Sequence, residues 1–258
     1  MLIEVLGPMR VTHEGTEIEI PGAKPRTIIA SLALHPGEVI SSADLLDELW
    51  GDNPPRSAGN SLQGHVARLR RSLAEQTGST RARDLLRTSG SGYLLDVDAD
   101  DVDALRFTRI VQQVGSHTLH EDPERAITLL NDALRLWRGP ALADTGQGIS
   151  CQTACAHLNE TKLMAKDLLI EAQLALGLHR EVVPQLKQLL TRHPLRERFC
   201  EQLMLALYRS GRQADAINVY YRVREHLSND LGLEPGPGMR SRLAEILKQE
   251  PSLILAGR

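Results

Sequence analysis

Aromatic residues are scarce in this chain: two Trp, four Tyr and two Phe make up 3% of its 258 residues. Its cores must therefore be built mainly from Leu, Ala, Val and Ile, a palette that suits packed helices. Cysteine is scarcer still, and Cys151, Cys155 and Cys200 cannot all pair with one another. Met1–Gly7 runs into strand-like sequence without a basic start, and no apolar run approaches the roughly 20 residues needed to cross a bilayer. These absences predict a cytoplasmic chain with no membrane partner and with reduced thiols.

Catalytic signatures are also missing. The sequence has no Gly-x4-Gly-Lys-Ser/Thr phosphate loop, no Gly-x-Gly-x-x-Gly fingerprint, no His-Glu-x-x-His pair and no Gly-x-Ser-x-Gly elbow. Cys151-x-x-x-Cys155-x-His157 looks like part of a metal site but lacks the second ligand pair that structural zinc requires. The chain is therefore expected to be no enzyme and to hold no metal or cofactor. A net charge of −3 argues against a generic polyanion binder.

The distribution of charge is more informative than its sum. Residues 1–55 carry nine acids against three bases. Residues 56–93 carry seven arginines (Arg56, Arg68, Arg70, Arg71, Arg81, Arg83 and Arg87) against Glu75 and Asp84. A locally basic face on a near-neutral protein suits a site-specific DNA reader.

Residues 2–20 read as short strands, with a turn at His13-Glu14-Gly15 and a stop at Pro21-Gly22. Ile28, Ile29, Leu32 and Ala33 follow at helical spacing, closed by Pro36-Gly37. Ser41 or Ser42 can cap a second helix bearing Leu45, Leu46, Leu49 and Trp50. A third helix is predicted from about Ser57 to Glu75. Leu85–Thr88 and Tyr93–Leu95 then read as a hairpin around Ser89-Gly90-Ser91-Gly92. The aspartates from Asp96 to Asp103 make an acidic junction. Beyond it the pattern is helical throughout, over about 103–115, 123–138, 152–176, 179–192, 195–210, 213–230 and 237–249. Gly177 and Gly211 lie 34 residues apart, the tetratricopeptide period, with Ala216, Tyr220 and Pro194 at fitting positions and Ser228 where a second closing proline is expected. The predicted fold is mainly α. An α+β winged helix-turn-helix (1–96) and the junction (97–102) precede an all-α tetratricopeptide-like domain (103–258).

The third helix carries the candidate chemistry. Leu62, Val66, Leu69 and Leu73 form one apolar stripe. The opposite face presents Ser57, Asn60, Gly64, Ala67, Arg68 and Arg71, flanked by Gln63 and Arg70 on one side and by Ser61 and His65 on the other. Arginine can fork onto guanine, and amides suit adenine or phosphate. Gly64 and Ala67 permit close approach to bases. Gln63, Gly64, Arg68 and Arg71 are thus the candidate base readers. The Ser41-Ser42 helix start offers N–H groups to a phosphate, and Arg87 and Thr88 on the hairpin are placed for phosphates. Tyr93 reads as a core aromatic, and Trp50 fits core packing and backbone contact equally.

Val39–Gly51 resembles the second helix of the OmpR-type winged-helix domain, Leu62–Leu73 its recognition helix and Gly90-Ser91-Gly92-Tyr93 its wing. Leu136-Trp137-Arg138-Gly139-Pro140-Ala141-Leu142, His193–Arg198, Leu207–Ala216 and Leu231–Pro237 resemble markers of the bacterial transcriptional activator domain. The whole resembles the Streptomyces antibiotic regulatory protein family. That resemblance implies an activator of secondary-metabolite genes that binds promoter direct repeats as two protomers side by side, about 10–11 base pairs apart. It also implies recruitment of RNA polymerase holoenzyme through the sigma factor and other subunits. By the same resemblance Arg68 contacts bases, and Trp50, Asn60, Ser61 and Arg70 mostly touch the backbone. Ser89 stands where some relatives carry a wing arginine, a departure from the pattern that gives a minor-groove contact. Neither a receiver domain nor the ATPase or phosphopeptide modules of larger relatives is expected. The alternative reading is a helical-repeat sensor of a ligand or partner, with DNA binding secondary.

Overall fold

The computed structural model describes residues 1–78, 80–146 and 148–253. It divides into two compact units, one of residues 1–112 and 132–163, the other of 113–131 and 164 onward.

The first unit opens with three antiparallel strands in the order β1 (Leu2–Glu4), β2 (Arg10–His13), β3 (Thr16–Ile18). Alternation puts Ile3, Val11 and Ile18 in one cross-strand row, and all three are buried. Next come α1 (Ala23–Ala33), β4 (Ile40–Ser41), α2 (Ser42–Trp50) and α3 (Ala58–Thr77). A short α4 (Thr80–Asp84) precedes β5 (Leu86–Ser89) and β6 (Gly92–Leu95). This is a winged helix-turn-helix. The predicted apolar stripe of α3 is its buried side, and Gly78, in the left-handed region at φ 65°, ends the helix. Two elements of the winged helix escaped the sequence reading. α4 lies in a stretch too polar for a periodic signal, and β4 is only two residues long. β4 nevertheless makes a second sheet in the order β4-β6-β5, pairing Ile40 with Tyr93.

The acidic stretch is ordered residue by residue. Asp98 accepts from the Asp100 N–H, Asp101 pairs with the N-terminal ammonium at 3.0 Å, and Asp96 pairs with Arg87 at 2.7 Å. Asp103 is fully buried and accepts the N–H groups of Val5 (2.7 Å) and Leu6 (3.1 Å) at the end of β1. The helices α5 (Asp103–Gln113), α6 (Leu119–Glu121), α7 (Pro123–Arg135) and α8 (Ile149–Ala175) follow, with one π turn at Val114–Thr118. The first unit therefore extends past the acidic stretch. Arg138 donates its N–H to Leu6 O at 2.7 Å and its guanidinium to Pro8 O at 2.9 Å. Trp137 meets Phe107 edge-on at 5.6 Å between centroids.

In the second unit α9 (His179–Arg192), α10 (Glu197–Arg209), α11 (Gln213–Leu231) and α12 (Pro237–Lys248) pack in sequence. The repeat is visible in hydrogen bonds. Gly177 and Gly211 both take positive φ, and the bonds Leu178 N–H to Gln173 O and Gly177 N–H to Leu174 O recur 34 residues on as Arg212 to Leu207 and Gly211 to Tyr208. Pro194 follows the end of α9, while Ser228 lets α11 run on to Leu231. No strand follows Leu95 among the described residues, and no helix there is long and apolar enough to cross a membrane.

Candidate nucleic-acid interface

The outer face of α3 is open along its length. Asn60, Gln63, Gly64, Ala67, Arg68 and Arg71 are all exposed, and Ser61 is half-buried. A Cβ added at Gly64 would meet nothing within 4 Å, so the packing of the chain does not require glycine there.

The two central arginines are held differently. The Arg68 guanidinium curls back along its own helix, donating Nε to Gly64 O (3.3 Å) and placing Nη2 at 3.0 Å from His65 Nδ1. Arg70 turns to the hairpin instead, donating Nε to Leu86 O and Nη2 to the Thr88 hydroxyl, both at 2.8 Å. It therefore fixes the wing against α3, and Thr88 is its acceptor. Arg87, the cation on the wing itself that is predicted for phosphate, is exposed but paired with Asp96.

At the start of α2 the Ser41 hydroxyl caps the helix, accepting from the Asp44 N–H at 3.1 Å and donating to its carboxylate at 2.6 Å. The Ser42 N–H (3.0 Å) and hydroxyl (2.6 Å) both donate to Ser91 O in the wing turn. These donors thus serve the wing within the chain, and a phosphate at this helix start would have to share them. The wing loop is Gly90-Ser91, with positive φ at Gly90 alone, as a type II′ turn requires. Gly92 permits the close crossing of β4, since a Cβ there would lie 2.2 Å from Ile40 O. Tyr93 is buried beneath the hairpin.

Trp50 is half-buried, with the Lys24 ammonium 4.0 Å from its ring centroid and the His65 ring at 6.5 Å. Lys24 was missed in the sequence, where its one signal is that it is among only three bases before residue 56. A cavity of about 400 Å³, lined by Pro21, Lys24, Pro25, His65, Arg68 and Leu69 among others, adjoins this group. Burial, then the Arg68 and Lys24 cations, push the His65 pKa down.

Away from α3 the winged helix holds residues from the later part of its own unit. Glu48, 7% exposed, accepts the Ser150 (2.8 Å) and Cys151 (2.9 Å) N–H groups at the start of α8. The Thr27 hydroxyl accepts from Gly146 N–H at 2.6 Å, and Arg26 pairs with Asp144 at 3.1 Å. Cys151 is buried, its pKa pushed up to about 12 by burial and then by Glu48, while the Cys155 thiol donates to Ala141 O. No cluster of three or more metal-ligating side chains occurs among the described residues.

Residues 102–247 match the model of the bacterial transcriptional activator domain, and residues 15–95 that of the C-terminal domain of transcriptional regulatory proteins. The transcriptional regulator RedD of Streptomyces coelicolor is 46% identical over 97% of this chain and 71% of its own length. The regulatory protein DnrI of Streptomyces peucetius is 36% identical over 98% and 94%. Among solved structures, Mycobacterium tuberculosis EmbR in complex with a low affinity phosphopeptide superposes with a TM-score of 0.90 at 32% identity, covering 97% of this chain and 65% of that one. The chain belongs to the Streptomyces antibiotic regulatory protein family of transcriptional regulators, which joins an OmpR-type winged helix to a bacterial transcriptional activator domain.

Proposed function

We propose that the chain is a sequence-specific DNA-binding activator of a secondary-metabolite gene cluster. It binds promoter direct repeats as two protomers side by side and recruits RNA polymerase holoenzyme, sigma factor included. The observation that carries this reading is the outer face of α3, which is exposed, free of acids between Asp52 and Glu75, and small at Gly64 and Ala67 with nothing in the chain crowding Gly64. α3 enters the major groove, with Gln63, Gly64, Arg68 and Arg71 toward base edges. Asn60, Ser61 and Trp50 meet the sugar–phosphate backbone, as do Ser41, Ser42, Arg70, Arg87 and Thr88. For the last five the contact is made while Ser41 caps α2 and the other four hold the wing through bonds within the chain.

The test is a mobility shift and footprint on the chain's own upstream promoter, with excess nonspecific competitor and at two salt concentrations. A competitor-resistant complex protecting repeats on one face of the duplex is expected. Arg68→Ala should weaken specific binding by about 1–3 kcal/mol and relax one base position. Arg70→Ala should weaken all sequences alike with a shallower salt slope. Uniform weakening across all sequences in Arg68→Ala would make Arg68 a phosphate contact, and an unchanged salt slope in Arg70→Ala would refute its backbone assignment.

A second reading has one observation in its favour. A groove of about 400 Å³ in the helical unit, between α9, α10 and α11, has Lys187, Arg222 and His226 in its lining and no acid there. A ligand- or partner-sensing role for this domain predicts saturable heat on titration with candidate anionic products. Flat calorimetry at high concentration would count against it.

A further inference from the structure

We infer that His65 is a positioning residue for Arg68. Its neutral ring, accepting at Nδ1, orients the guanidinium that reads a base, and protonation of the ring releases it, so discrimination by α3 falls as the pH drops. This rests on the groove-reading role proposed above for α3.

The argument begins with hydrogen-bond inventory. A guanidinium has donors only, so the 3.0 Å approach of Arg68 Nη2 to His65 Nδ1 requires a lone pair on Nδ1 and the ring proton on Nε2. Imidazolium has no acceptor. Protonation would replace one hydrogen bond with a cation facing a cation three residues away on the same helix. The other restraint on Arg68 is the weaker 3.3 Å bond to Gly64 O, which leaves the far end of the side chain unfixed.

The surroundings favour the neutral form of the ring. From α2 the Trp50 indole stands 6.5 Å from the ring, and from α1 Lys24 lies on the indole. The charged groups acting on His65 are Arg68 on its own helix and Lys24 on α1, both cations, and its burial adds to their effect. Lys24, Trp50, His65 and Arg68 thus form a chain of contacts across three helices that ends on the candidate base reader. Bound phosphates would favour the imidazolium, so the transition in a DNA complex lies at higher pH than in the free protein.

Two variants separate positioning from mere packing. Gln at this position offers an amide oxygen that accepts at any pH, whereas Lys mimics the protonated ring permanently. With the full chain, the affinity ratio between the operator and an operator altered at the base pair that Arg68→Ala relaxes is followed from neutral to mildly acidic pH. The wild-type ratio should fall on the order of tenfold, within the range a bidentate base contact commands. His65→Gln should hold its ratio flat and high, and His65→Lys flat and low. Parallel profiles for wild type and His65→Gln, or full discrimination by His65→Lys, overturn the inference. Nitrogen NMR of the free protein gives a readout that needs no operator. An Nε2–H tautomer whose pKa rises in Arg68→Ala supports the pairing, and an Nδ1–H tautomer overturns it. If the chain discriminates no sequence at any pH, the groove-reading role fails, and the NMR result still decides the pairing on its own.

Discussion

Replacing Glu48 by Ala removes the carboxylate of α2 that binds the start of α8. Glu48 accepts two N–H groups, from Ser150 at 2.8 Å and Cys151 at 2.9 Å. A hydrogen bond to a charged group contributes about 1.5–3 kcal/mol net. The two are not equal here. Ser150 is exposed, so water can take its N–H, whereas Cys151 is 3% exposed and its N–H would be left without a partner. Counting the second in full and the first only in part gives a loss of roughly 2–4 kcal/mol, to which the favourable placement of a negative charge at a helix N-terminus adds a few tenths. Glu48→Gln keeps one acceptor without the charge and should lose about half as much. Urea denaturation followed by circular dichroism measures both, with the first transition as the reading because two units can melt separately. Amide exchange supplies an independent mark, since Cys151 N–H should lose its protection in the alanine variant. A Glu48→Ala protein within about 0.5 kcal/mol of wild type, the scatter of ordinary surface substitutions, would refute the reasoning.

Gly92→Ala should cost about 1–3 kcal/mol by overpacking, because the new methyl meets backbone atoms of Ile40 and Ser41 that cannot swing away. Gly90→Ala, with open space but φ at 56°, should cost about 1 kcal/mol from the left-handed conformation alone; equal losses in thermal melts of the two would contradict this distinction. In maleimide labelling of the native protein, half-buried Cys155 should react first. Cys151 and Cys200, whose pKa values burial pushes up to about 12, should stay unmodified until the chain unfolds. Burial also raises the pKa of Asp103, against the opposing pull of the Val5 and Leu6 N–H groups and of Arg138. The folded chain therefore binds this proton more tightly than the unfolded chain. The stability gained from protonation is full below the ordinary aspartate value and is lost as pH rises through the raised one. The stability difference between wild type and Asp103→Asn should fall with rising pH over that window, and a rising difference would show the sign to be wrong.

What the sequence made legible is what depends on short spacings. Leu62, Val66, Leu69 and Leu73 repeat at helical intervals, and α3 buries all four. Gly177 and Gly211 mark two helix ends because the left-handed turn that closes each helix favours glycine. What stayed hidden is polar and distant. Glu48 binds partners 102 and 103 residues away, and Asp103 binds groups 98 and 97 residues away. A carboxylate bound for a buried helix start reads in sequence like one bound for water, since only the fold brings the N–H groups to it. Arg70 was hidden for a related reason. It reads as a phosphate ligand beside the basic face, and nothing in its spacing shows that β5 also brings Leu86 O and Thr88 within its reach.

The residues of α3 divide by the same logic. Where a side chain has a duty inside the chain, the structure supplies the reason for its type, as it does for Leu62 in the core and Arg70 on the wing. Gly64 and Ala67 have no such duty. Both are exposed, Gly64 costs a helix about 1 kcal/mol relative to alanine, and its missing Cβ would touch nothing in the chain. At Gly64 bulk has been given up at a cost in helix stability that no internal packing recovers, whereas alanine at 67 is what a helix favours. A base-pair edge lying between the forks of Arg68 and Arg71, as proposed for α3, would account for the missing bulk at Gly64.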